Sequence, residues 1–147
     1  MKKLALITLV ILALTTVVIN AHAAGTISTT FWGDGTLEAG KTGREHVTHA
    51  NVSTGTVEKV IVKFTPIKII HTKPRRLVVR LNGEKICRFG QRRLKSTVSC
   101  FAGDILPGDT LDSVLIFRAK SVGVDEWYYF VQHDGWWTDF GFSLTIK

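Results

Sequence analysis

The stretch WYYFVQHDGWW, from Trp127 to Trp137, packs six aromatic residues into eleven positions. Aromatic rings lie well against the C–H faces of sugar rings, while nearby carboxylates and amides hold hydroxyl groups. An apolar surface carrying a few placed polar groups is the general form of a ligand site. Asp134-Gly135 is a two-residue hairpin signal, and it decides which aromatics share a face. His133 then faces Trp136, Val131 faces Thr138, Tyr129 faces Phe140, and Trp127 faces Phe142. Leu144 and Ile146 extend that row, which is the expected core side. The other side pairs Gln132 with Trp137, Phe130 with Asp139, Tyr128 with Gly141, and Glu126 with Ser143. Adjacent strand residues point to opposite faces, so Trp136 is expected in the core and Trp137 outside it. The candidate ligand-binding set is Trp137, Tyr128 and Phe130 for stacking, with Gln132, Asp139 and Glu126 for orientation. The competing reading is structural: a strand buried on both faces is also continuously apolar.

A second candidate is electrostatic. The formal charge is +7, and removal of Lys2 and Lys3 with an N-terminal leader leaves +5. Between Lys59 and Lys95 twelve basic residues stand against one acid, Glu84, a net of +11. Between Asp104 and Asp139 seven acids stand against Arg118 and Lys120, a net of −5. Arg75, Arg76, Arg80, Arg92, Arg93 and Lys95 form the candidate anion-binding set, since guanidinium groups suit bidentate contact with phosphate, sulfate or carboxylate. Charge that merely protects sheet edges is the plainer explanation. No nucleic-acid-binding motif accompanies the basic block, and nucleic acid is not expected as a partner. The separation of charge also fits self-association, because a basic region of one copy attracts an acidic region of another.

Catalytic chemistry has little support. No G-x-S-x-G occurs, no histidine adjoins a candidate nucleophile, and no catalytic residue is assigned. His46 and His49 stand three apart, a spacing that would share a helix face but face apart on a strand. Asp104, Asp109 and Asp112 are oxygen ligands of the type calcium takes, yet their spacing is not that of an EF-hand. Turns use aspartate in any case. No metal or cofactor is implied. Asn51-Val52-Ser53 is a glycosylation sequon, discounted because the short lysine-started leader is bacterial in type.

The elements that must position these residues are strands. After residue 24 no segment keeps a 3.6-residue apolar period, whereas short alternating runs recur between Gly, Pro, Asn and Asp. That is the pattern of an all-β sandwich or jelly roll. Expected strands are 26–32, 56–65, 67–71, 76–81, 84–89, 98–102, 114–119, 126–133 and 136–146, eight or nine in all. Pro66 ends its strand or marks a bulge, and most of 33–55 reads as loop. Asn82-Gly83 is the strongest hairpin signal. It pairs Leu81 with Glu84, Val79 with Ile86 and Leu77 with Arg88 on an inner face. Arg76, Val78, Arg80, Lys85, Cys87 and Phe89 then form a basic outer face. Cys87 and Cys100 are expected to pair as one disulfide on that outer face, since export places them in an oxidising compartment.

Residues 1–23 have the charged, apolar and small-x-small segments of a cleaved secretory signal peptide, leaving a single domain at 24–147 and no later membrane span. The expectation is a secreted or periplasmic, non-catalytic β-sandwich that binds a glycan or other anionic cell-surface ligand. Two other classes compete with it: a pilin-like structural subunit of an extracellular assembly, and a membrane-active, toxin-like protein.

Overall fold

The computed structural model describes residues 27–33, 35–133 and 136–147, with only the backbone described over 136–140. The leader at 1–23 and the Asp134-Gly135 turn therefore lie outside the described residues. Ten strands are present among them: β1 (Ile27–Gly33), β2 (Thr36–Leu37), β3 (Thr42–Asn51), β4 (Val57–Lys68), β5 (Thr72–Leu81), β6 (Glu84–Gly90), β7 (Val98–Ile105), β8 (Thr110–Ala119), β9 (Gly123–His133) and β10 (Trp136–Ile146). A short 3-10 turn, Arg93–Lys95, lies between β6 and β7.

The strands form two five-stranded sheets, ordered β1-β3-β8-β5-β6 and β2-β10-β9-β4-β7. All neighbours are antiparallel except β2 and β10. Alternation builds the core between them. Val60, Val62 and Phe64 of β4, Leu115 and Phe117 of β8, and Trp127, Tyr129 and Val131 of β9 are all buried. Their odd-step neighbours face solvent, as the two-residue period of a strand requires. This is the all-β, disulfide-bonded sandwich expected from the alternation. The β9–β10 register also agrees, with Trp136 opposite His133, Trp137 opposite Gln132 and Phe142 opposite Trp127.

Three expectations need correction. Much of 33–55 is strand, not loop, because β2 and β3 lie there. The inward positions of β3 are Gly43, Glu45, Val47, His49 and Asn51, all buried. Only one of these is a large apolar residue, so burial alternates while hydropathy does not. The segment 67–71 is not a separate strand: β4 runs through a bulge after Pro66 to Lys68, and the chain then turns.

The third correction concerns the Asn82-Gly83 hairpin. Both turn residues have positive φ, 49° and 84°, as a two-residue Asn-Gly turn requires. Leu81 pairs with Glu84 and Arg80 with Lys85, but Val79 then pairs with Cys87, not Ile86. Ile86 is the extra residue of a β-bulge, and beyond a one-residue slip every side chain changes face. Cys87 and Phe89 therefore turn inward and pack against the core, while Ile86 and Arg88 are exposed. The disulfide Cys87–Cys100 forms, but it is internal, with Cys100 buried in the core. It joins the edge strand of one sheet to the edge strand of the other.

Candidate functional site

Backbone register sets aromatic and polar positions in rows on the outer face of the second sheet. Register carries one row through Phe101, Ile61, Gln132 and Trp137, on β7, β4, β9 and β10. The next runs Ser99, Lys63, Phe130, Asp139, and the next Thr65, Tyr128, Gly141. Glu126 and Ser143 follow. Phe101 is 66% exposed and Tyr128 37%, while Phe130, Gln132 and Lys63 are half-buried. The Tyr128 and Phe130 ring centroids are 6.0 Å apart at 45°, within the range of favourable aromatic pairs. Lys63 Nζ donates to Gln132 Oε1 at 3.0 Å, which holds a cation and an amide next to Phe130. Tyr128 lies over Gly141: a Cβ there would stand 2.7 Å from Tyr128 Cε1.

All six expected ligand-binding positions thus fall on one face by backbone register, although the side chains of Trp137 and Asp139 lie outside the described residues. Phe101, Ile61 and Lys63 are additions. The alternation of VEKVIVKFT already sets Ile61 and Lys63 opposite the buried valines. Only the long-range pairing of β4 with β9 sets Ile61 opposite Gln132 and Lys63 opposite Phe130.

The expected anion-binding residues do not join this face. Arg76 and Arg80 flank Val78 on the outer face of the first sheet, on the far side of the sandwich. Arg80 is opposite Asp112 of β8, and Lys85 is opposite Arg80. Arg92, Arg93 and Lys95 are exposed in the 3-10 turn between β6 and β7 and its lead-in, at one end of the sandwich. Arg75 is exposed at a bulge of β5 between Pro74 and Arg76. The six expected anion-binding residues therefore divide between the first sheet and an end.

The remaining chemically capable residues have local partners. His46 and His49 face apart on β3, as strand geometry demands. On the outer face His46 Nε2 is 3.2 Å from Asp112 Oδ1, and Thr48 Oγ1 donates to that same oxygen at 2.6 Å. Thr48 Oγ1 also meets His46 Nε2, at 3.5 Å. Acid and hydroxyl approach one ring nitrogen, so the imidazole does not stand between an acid and a nucleophile as a relay requires. On the inner face burial lowers the His49 pKa to about 4, against a smaller opposing pull from Asp112. Burial, with the nearby Glu45 charge, raises that of Tyr129 well above its ordinary value. Asp104 accepts from the Lys59 N–H at 3.0 Å, and Asp109 from the Asn82 amide and the Leu106 N–H. Among the described residues no three His, Cys, Asp or Glu side chains gather to hold a metal ion. Asn51 of the sequon is buried and donates to the Gly55 and Ile105 carbonyls.

No protein-family model matches the chain, and no curated protein matches its sequence. Solved structures share its fold. A serine-rich repeat protein, Srr2, from Streptococcus agalactiae superposes with a TM-score of 0.61 at 7% identity, over 87% of this chain and 48% of its own. BcpA, the major pilin subunit of Bacillus cereus, gives 0.54 at 8% identity, over 82% and 41%. The C-terminal domain of the Streptococcus pyogenes antigen I/II-family protein AspA gives 0.52 at 8%, over 81% and 46%. The chain spans about half or less of each of these proteins. At such identities the likeness is one of fold.

Proposed function

We propose that the chain is an exported, non-catalytic β-sandwich that recognises a glycan through the outer face of the second sheet. The observation that carries this reading is the exposure of Tyr128 beside Phe130, with the exposed Phe101 two strands away on the same face and the Lys63–Gln132 hydrogen bond linking β4 to β9 there. Large apolar groups gathered on a polar-rimmed face are the usual mark of an interaction site. Export is supported by the N-terminal leader pattern and by the disulfide, a bond of oxidising compartments. A glycan array followed by calorimetry on wild type, Tyr128→Ala, Phe101→Ala and Trp137→Ala tests the reading. Loss of binding in these variants with unchanged thermal unfolding is the expected result. Undiminished binding in all three removes the platform.

A structural-subunit reading has one specific support, the fold shared with a major pilin subunit. It predicts concentration-dependent assembly of the purified chain, which sedimentation detects. A strict monomer counts against it.

A further inference from the structure

The end of the sandwich that carries the β4–β5 turn, the β8–β9 turn and the 3-10 turn has a different character from either sheet face. The first two turns are bonded to each other: the Lys120 N–H donates to the His71 carbonyl at 2.7 Å, and His71 Nδ1 is 3.0 Å from Ser121 Oγ. The β4–β5 turn is fixed from below by the buried Asp125 carboxylate, which accepts from the N–H groups of Ile70, His71 and Thr72. Bulges interrupt β4 after Pro66 and β5 after Pro74 at this end. The result is an open cleft of about 580 Å³ whose wall includes Ile67, Ile69, Leu94, Lys73, Lys95 and Lys120.

Three properties coincide. The cleft has three lysines in its lining and no acid. None of those lysines has an ion-pair partner among the described residues. The β4 bulge and the turns around the cleft also raise apolar side chains into solvent: Ile67 is 53% exposed, Ile70 58% and Val122 68%. A soluble anion would use the lysines and leave the exposed aliphatics without a role. A lipid surface uses both, because phosphate head groups attract lysines and the interfacial zone takes short apolar side chains.

The geometry points to this end as a docking site for an anionic phospholipid surface. The cleft takes a head-group phosphate between Lys73, Lys95 and Lys120, and Ile67, Ile70 and Val122 enter the interface. The site is separate from the aromatic face and stands or falls independently of it.

Vesicle co-sedimentation of the full chain provides the test, with phosphatidylcholine alone and with added phosphatidylglycerol. Binding is expected only to the phosphatidylglycerol vesicles, and to weaken as salt rises. Lys73→Ala/Lys95→Ala/Lys120→Ala should weaken it roughly a hundredfold, about fivefold for each lysine. Ile67→Ser/Val122→Ser should weaken it with every charge retained. Lys59→Ala/Lys85→Ala, away from this end, should leave it unchanged. Circular dichroism of each variant confirms that it is folded before binding is compared. Wild type that ignores phosphatidylglycerol, or a triple variant that binds as well as wild type, overturns the proposal. So does full displacement by inorganic phosphate, which would make the cleft a soluble-anion site.

Discussion

Cys87 and Cys100 lie on opposite sheets, and their bond clasps the two edge strands β6 and β7 along one side of the sandwich. Edge strands are where a sandwich opens most easily, since each has a neighbour on one side only. The bond joins residues 13 apart in the chain, a short loop for which the chain-entropy account gives about 3 kcal/mol. Reduction, or the Cys87→Ala/Cys100→Ala pair, should lower the thermal midpoint by about 10 °C. Calorimetry with and without reductant measures it. A midpoint indifferent to reductant in the wild type would show that the clasp contributes nothing.

His49 should make the fold acid-sensitive. Its imidazole is buried, and Thr29 Oγ1 lies 2.9 Å from Nδ1. The unfolded chain protonates this ring near the ordinary value of 6.5, the folded chain only near 4. Between those values the unfolded state binds more protons, so stability falls as pH drops from 6.5 towards 4 and levels out below. The total is at most about 3 kcal/mol. Urea unfolding across that window should show the slope in wild type and a shallower one in His49→Gln. Equal slopes would assign the acid sensitivity elsewhere.

The legible parts of this fold are those where side-chain type and burial coincide. The β9–β10 register could be read to the single residue because Trp127, Tyr129, Val131, Phe142, Leu144 and Ile146 alternate strictly on either side of the Asp-Gly signal in the sequence. In β3 the two signals separate. Glu45, His49 and Asn51 occupy core-facing positions, and a polar, glycine-containing segment reads as loop. The bulge at Ile86 was hidden for another reason: nothing in LNGEKICRF distinguishes Ile86 from Cys87 as the inward residue. The choice is made by the sulfur bond to Cys100 and by Phe89 packing on the core. At the candidate site the local strand β9 was readable. Phe101, Ile61 and Lys63 came from strands whose adjacency is a long-range fact.

Asp125 should be among the least replaceable polar residues. It is fully buried on β9 and receives, besides the three turn N–H groups, the Thr72 hydroxyl at 2.6 Å. Asp125→Ala leaves those donors without their acceptor and should cost about 4 kcal/mol or more. Thr72→Val removes one hydroxyl and should cost about 1.5 kcal/mol. Denaturant unfolding ranks the two, and hydrogen exchange at Ile70, His71 and Thr72 locates the loss. An Asp125→Ala variant as stable as Thr72→Val would mean that water replaces the carboxylate.

Tyr129 offers a substitution in the opposite direction. Its ring packs at 5.5 Å from Phe64 and 5.3 Å from Phe142, but its buried hydroxyl has no hydrogen-bond partner among the described residues. An unsatisfied buried hydroxyl carries its desolvation cost with no return. Tyr129→Phe keeps the ring and removes that cost, so its thermal midpoint should equal or exceed that of the wild type. A loss greater than about 1 kcal/mol would show that the hydroxyl is satisfied after all.

Gly141 provides a way to disturb the aromatic face without deleting an aromatic residue. A methyl group there would stand 2.7 Å from Tyr128 Cε1 and 3.3 Å from Cδ1, so the ring must lift or swing aside. The strand itself tolerates alanine, and the reduced freedom of the unfolded chain offsets part of the lost ring contact by about 0.5 kcal/mol. Gly141→Ala should therefore change stability little while weakening binding of the best array glycan about tenfold, or 1.4 kcal/mol. In a Tyr128→Ala background the same substitution should have no further effect, because the clash it creates is gone. Calorimetric titration of the four proteins closes the cycle. Additive losses would show that Gly141 acts on the ligand directly, and not through the tyrosine ring.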